Sequence, residues 1–200
     1  KVALNPVAQW APCFGPTVAD FNNDGHEDVF LSQNLDTGNH EWGRMDAGHG
    51  LLLLGDGEGS LNAIPSTASG IRLKNEQRGT ATADFNQDGK MDLAVLERGK
   101  GAHLFVNQTE HTGVTVSLEG PSANPHCIGA RLQKINLQTG NVYGPAKEIQ
   151  SGSGYRSLNA LKHVFAHPGK PFQIQVTWPN GKISRHSIPS GITKVTLQQP

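Results

Sequence analysis

The chain has 200 residues, 36% of them hydrophobic and 17% charged, and its 17 Lys and Arg balance its 17 Asp and Glu. A neutral chain offers no basic footprint to hold nucleic acid or an anionic membrane, and its longest purely apolar run, Leu51 to Leu54, is far short of the roughly 20 residues that cross a bilayer as a helix. Apolar residues are still numerous enough to fill the core of one domain or two small ones, which argues against disorder.

The chain starts at Lys1 without an apolar leader, the expectation for a processed product or for a piece of something longer. Gly15 to Ala19 then leads into an acidic segment, and that segment returns 64 positions later. Ala19-Asp20-Phe21-Asn22-Asn23-Asp24-Gly25 and Ala83-Asp84-Phe85-Asn86-Gln87-Asp88-Gly89 agree at six of seven positions, Asp28 matches Asp92, and Gly15 matches Gly79. A structural unit is used twice. After each acidic segment come two strand-like runs, Asp28 to Leu31 and Leu51 to Leu54 in the first unit, Asp92 to Leu96 and His103 to Val106 in the second. Asp36 to Gly50 reads as a surface insertion in the first unit.

Beyond about Thr112 the acidic segment does not recur. Val114, Val116 and Leu118 alternate with polar residues, as do Phe172, Ile174, Val176 and Trp178, and a period of two is the mark of a half-buried strand. Trp178-Pro179-Asn180-Gly181 is a turn signal, with return strands expected over Ile183 to Ile188 and Ile192 to Leu197. Helical signal is scarce, and only Ser157 to Ala166 has room for a turn or two. The expected fold is all-β, in two regions, 1–111 and 112–200. Cys13 and Cys127 lie 114 positions apart without CxxC spacing, so the expectation is two separate buried thiols.

The repeated segments carry oxygen side chains at positions 1, 3, 5 and 9: Asp20, Asn22, Asp24 and Asp28, then Asp84, Asn86, Asp88 and Asp92. Calcium takes 6 to 8 oxygens, and Gly25 and Gly89 at position 6 permit the sharp bend such a loop needs. His26 and Lys90 at position 7 would contribute backbone carbonyls. An EF-hand is excluded, because position 12 is Leu31 in one copy and Val95 in the other where a bidentate Glu is required. The competing explanation is a hairpin whose Asp and Asn only make Asx-turns; the same four oxygens in two copies weigh against it. Magnesium is a weaker competitor, being less suited to a flexible cage of protein oxygens.

Thr17 to Gln33 and Thr82 to Arg98 resemble FG-GAP or VCBS repeats, the blades of integrin-alpha-like β-propellers with DxNxDGxxD calcium loops, and LLLLGDGEGSL over Leu51 to Leu61 resembles the blade strand and turn that follow. The second half resembles the ASPIC/UnbV domain through Ile128-Gly129-Ala130-Arg131, Gln150 to Tyr155, and Val176 to Gly181. This resemblance implies a partial β-propeller of two calcium-binding blade repeats followed by a sandwich-like UnbV β-domain, in a secreted or cell-surface protein. Propellers close with 4 to 8 blades, so the two visible units are expected to be completed by blades upstream or covered by neighbouring subunits.

Enzyme motifs are incomplete. His26-Glu27 and His40-Glu41 begin like HExxH but meet Phe30 and Arg44, and Ser153 lacks the glycine two positions before it that a nucleophile elbow needs. His163 and His167 are a weak metal pair, four apart on a segment of doubtful helicity. Asn107-Gln108-Thr109 is an N-glycosylation acceptor triplet, Trp178 is expected to be buried, and Trp42 with His40, Glu41 and Arg44 is a candidate contact surface. The expected function is a non-enzymatic, Ca²⁺-binding extracellular adhesion or assembly module. Its expected partners are other protein chains, matrix or glycan, and neither nucleic acid nor a membrane span is expected. The alternatives are a structural subunit of an extracellular filament or matrix, and the non-catalytic part of a larger propeller enzyme.

Overall fold

The computed structural model describes residues 4–36, 41, 43, 45–167, 169 and 171–200. His40, Trp42 and Arg44 lie outside the described residues, so the contact surface expected there has no structural account. The fold is almost entirely β. In the first unit β1 (Cys13–Ala19), β2 (Asp28–Gln33), β3 (Leu51–Gly55) and β4 (Leu61–Ile64) form one antiparallel sheet in chain order. A single helical turn, α1 (Ser66–Ser69), leads to the second unit, where β5 (Gln77–Ala83), β6 (Asp92–Glu97) and β7 (Gly101–Phe105) form a three-stranded antiparallel sheet.

The two sheets are the same device at two places. Ala19 faces Asp28 across β1 and β2, and Ala83 faces Asp92 across β5 and β6, so each acidic loop opens from the same register. The register slips between Cys13 and Gly15 in β1 and between Gln77 and Thr80 in β5, giving the matched glycines the same bulge. Each glycine lets its unit back closely onto the next segment. A Cβ on Gly15 would stand 2.7 Å from the Arg78 carbonyl oxygen of the second sheet, and one on Gly79 would stand 3.3 Å from the Tyr155 carbonyl oxygen.

Alternation along the strands decides what each face covers. Leu31, Leu51 and Leu53 pack with Ala8 of the N-terminal turn Pro6–Gln9 on one face of the first sheet. Phe30 looks the other way, into a cluster with Ile71, Leu73, Met91, Leu93 and Val95 that joins the two sheets. Leu96 and Leu104 on the second sheet remain about half exposed, at 50% and 54%.

The second half is a sandwich. One sheet has the order β10 (Val142–Glu148), β9 (Arg131–Ile135), β12 (Phe172–Thr177), β13 (Ile183–Ile188). The other has the order β11 (Lys162–Ala166), β8 (Gly113–Glu119), β14 (Lys194–Gln198), with β14 parallel to β8. Val114, Val116 and Leu118 meet Leu132, Ile174, Val176 and Ile188 in its core. Trp178 is buried there as expected, its indole N–H donating to Ser184 Oγ at 2.7 Å.

Two expectations need correction. The segment with room for a helical turn holds β11 instead, paired antiparallel with β8 from Lys162 opposite Ser117 to Ala166 opposite Gly113. Long-range pairing there overrides a weak local preference. Cys13 and Cys127 are both free, but only Cys127 is buried and Cys13 is exposed.

The halves touch through β11. Phe165 enters the sandwich core while Val164 joins the cluster between the two blade-like sheets. Asn159 Oδ1 accepts from Thr82 N at 3.0 Å, and Ala160 N donates to Thr82 O at 2.9 Å. The segment before β11 thereby occupies the free edge of β5.

Candidate calcium-binding loops

Both acidic loops are shaped by their own backbone. Asn23 and Gln87 take left-handed φ values of 55° and 62°, and Gly25 and Gly89 take 96° and 79°. Two positive-φ positions in so short a span curl the chain tightly enough for its own backbone N–H groups to reach the carboxylates at positions 1 and 5.

The hydrogen bonds repeat almost bond for bond. Position 1 accepts from the position 6 N–H, Gly25 N on Asp20 at 2.9 Å and Gly89 N on Asp84 at 3.1 Å. The position 3 amide donates to position 5, Asn22 to Asp24 at 2.8 Å and Asn86 to Asp88 at 2.9 Å. Position 7, His26 or Lys90, donates its backbone N–H to that same aspartate at 2.8 Å and 3.0 Å. Position 9 does something different. Asp28 accepts from Phe21 N at 2.8 Å and Gly55 N at 2.9 Å, and Asp92 from Phe85 N and Asn107 N, each at 2.8 Å. This buried carboxylate ties the start of the loop to the end of the third strand.

Asx-turns are therefore present, and among the described residues no three His, Cys, Asp or Glu side chains already converge as a metal cluster. The donor chemistry nevertheless fits a hard cation. The side chains at positions 1, 3, 5 and 9 all carry carboxylate or amide oxygens, and Asp84 Oδ1 is buried without a hydrogen-bond partner. An unpaired buried carboxylate oxygen is costly. Asp28 is completely buried, and burial pushes its pKa up to about 6, with Asp20 and Asp24 adding repulsion against the two N–H bonds that favour its charge. Burial likewise raises Asp20, opposed by the Gly25 N–H bond and by Lys147. Ionised carboxylates at these places call for a positive charge.

The loops also hold each other. Asn23 Nδ2 donates to Gly89 O at 3.2 Å and to His111 O at 3.0 Å. Asn107 Nδ2 donates to Phe21 O at 2.6 Å and Met91 O at 3.0 Å, while its Oδ1 accepts from Thr109 N and Oγ1. The acceptor triplet thus spends both amide hydrogens clasping the two loops, and a glycan on Nδ2 would displace one of these bonds. The bonds of this clasp that reach from one unit to the other span 66 to 88 residues, so the repeat does not announce them.

Lysines of the sandwich face the first loop. Lys147 Nζ lies 2.5 Å from Glu27 Oε1, and Lys134 Nζ donates to Ala166 O at 2.8 Å close beside Gly25. At the second loop Thr115 Oγ1 donates to Asp84 Oδ2 at 2.8 Å. His163 and His167 do not form a metal pair. Residues four apart along an extended chain are about 13 Å apart; His163 Nε2 meets Glu148 O at 3.0 Å, whereas the His167 ring packs edge-on against Phe172. Ser153 Oγ is a turn acceptor for Asn159 N at 2.6 Å.

Residues 20–95 match the FG-GAP-like repeat family model, which covers both acidic loops. Nearly the whole chain is similar to two proteins named cartilage acidic protein 1. The identity is 25% over 201 residues with the protein of Xenopus tropicalis, covering 95% of this chain, and 26% over 185 residues with that of Homo sapiens, covering 90%. The chain spans 29% and 27% of the length of those relatives.

Proposed function

We propose that the chain is a non-catalytic, calcium-braced extracellular module for binding or assembly. The observation that carries this reading is the near-duplication of the acidic loop's hydrogen bonds at the same register of two FG-GAP-like units, with a carboxylate oxygen of the second loop left buried and unpaired where its counterpart on Asp20 accepts from Asp24 N. Asp20, Asn22, Asp24 and Asp28 would hold one ion, with the His26 carbonyl, and Asp84, Asn86, Asp88 and Asp92 the other, with the Lys90 carbonyl. Bound calcium supplies charge neutralisation; the loop residues supply oxygens, and Asp28 and Asp92 pass the order of the loop to the third strand of each sheet. Similarity to proteins named for cartilage supports an extracellular setting. Among the described residues no helix is long and apolar enough to cross a membrane.

Scanning calorimetry with excess Ca²⁺ and with EDTA tests the calcium reading. A site filled at a hundredfold excess over its Kd adds about 2.7 kcal/mol. Identical melting temperatures in the two buffers refute it. The second reading, a self-associating matrix subunit, is favoured by one feature: among the described residues the second sheet stops at three strands, leaving β7, which carries the exposed Leu104, as an unpaired edge. Electron microscopy of the native material separates the two, since a matrix subunit forms fibres and a binding module stays dispersed.

A further inference from the structure

We propose that Lys134 and Lys147 are built-in counter-ions of the first acidic loop, so that calcium there competes with the docked sandwich, as it does not at the second. The inference rests on the calcium reading above. Its starting point is a difference between the two copies. Residues 20–28 carry Asp20, Asp24, Glu27 and Asp28 with no Lys or Arg, whereas residues 84–92 carry Asp84, Asp88 and Asp92 with Lys90 among them. The first loop is the more acidic by two charges.

Two ammonium groups of the sandwich meet that excess. Lys147, on β10, is only 10% exposed and its Nζ lies 2.5 Å from Glu27 Oε1. Lys134, on β9, has its Nζ 3.9 Å from where a Cβ on Gly25 would stand, anchored there by Ala166 O. Both feel the charge of Asp20. The second loop lacks such pairs. Thr115 on Asp84 is neutral, Lys194 reaches the Gln87 amide at 3.3 Å and not a carboxylate, and Lys162 and Lys194 are both exposed on the 290 Å³ cavity that Asp84 lines. Solvent and salt screen exposed charges far more than buried ones. Counted whole, four acids with Lys134 and Lys147 at the first loop balance three acids with Lys90 at the second; the difference is that an ion entering the first loop meets positive charge supplied by the sandwich, whereas one entering the second meets an unpaired carboxylate oxygen.

Calcium titration calorimetry of the full chain tests this. Asp88→Asn leaves the first loop to bind alone and Asp24→Asn the second. In the Asp88→Asn chain Lys147→Met and Lys134→Met should each tighten calcium binding by about tenfold, and in the Asp24→Asn chain neither should change it, while Lys147→Arg, which keeps the charge, leaves binding as it is with Lys147. Gln replaces Met at either position if the Met variant does not fold. Neutral substitutions that move neither loop's affinity, or both alike, overturn the counter-ion assignment and leave the calcium reading standing. Absence of calcium binding in every chain overturns both.

Discussion

Acidification is expected to weaken the joint between the blade-like sheets and the sandwich through His163. The ring lies on β11 against a cavity of about 320 Å³ bounded by β1, β5 and β10. Burial pushes its pKa down to about 4; Lys147 pushes the same way, while the Glu148 carbonyl and Glu27 oppose it, and Lys162 is the adjoining charge on its own strand. The folded value lies below the unfolded 6.5, so between about pH 4 and 6.5 the unfolded chain binds more protons. The contribution of a neutral His163 is therefore complete above pH 6.5 and lost as the pH falls toward about 4. The gap of about 2.5 units corresponds to roughly 3 kcal/mol, reduced to about 2 because the ring is not wholly enclosed. Asp28 works in the opposite direction. Its folded pKa is raised to about 6, so its contribution is full below the unfolded value and lost as the pH rises through about 6. Comparison with His163→Gln removes that background. Urea unfolding in EDTA from about pH 7 to about pH 4.5 should show the stability gap between wild type and variant shifting by about 2 kcal/mol in favour of the variant. A gap that stays constant across this range refutes the reasoning.

Asp92→Ala removes the shared acceptor of Phe85 N and Asn107 N and should cost about 2 to 4 kcal/mol by urea unfolding, in EDTA as well as in calcium, because the bonds it breaks need no metal. Gly15→Ala forces a methyl to within 2.7 Å of the Arg78 carbonyl and is expected to cost about 1 to 3 kcal/mol, and Gly79→Ala less, since its nearest neighbour is 3.3 Å away; thermal melts of the two variants rank them. Asn107→Asp loses both side-chain donors across the loops and should destabilise by about 1 to 3 kcal/mol in the same assay.

What could be read from the residues was local. The DxNxDG segments, their positive-φ glycines and the strands that follow depend on neighbours within a dozen positions, and those elements stand where the spacing placed them. Alternation found β8 and β12, and the turn signal at Trp178 to Gly181 found β13, for the same reason. The region around β11 was misread because its partner, β8, lies more than 40 residues upstream, and nothing in residues 157–166 announces it. Nothing in the sequence singles out strand β4, since four residues with one polar member, Leu61-Asn62-Ala63-Ile64, give little periodicity. At the loops the ligand-type side chains were legible, but Asn23, Asn107, Lys134 and Lys147 were not. Their roles come from packing two units and a sandwich together, and each is an ordinary surface residue by type.

The parallel pair of β8 and β14 sets the order in which this molecule can take shape. Thr115 must wait for Lys194, and Glu119 for Gln198, before the smaller sheet of the sandwich is whole, whereas each blade-like sheet closes between strands near one another in sequence. Distant pairings form late because the intervening chain must first surrender its freedom. A chain emerging from the ribosome thus pairs its blade-like strands first, and the sandwich assembles last, bringing with it the segment that closes the β5 edge and the Val164 that completes the cluster between the two sheets.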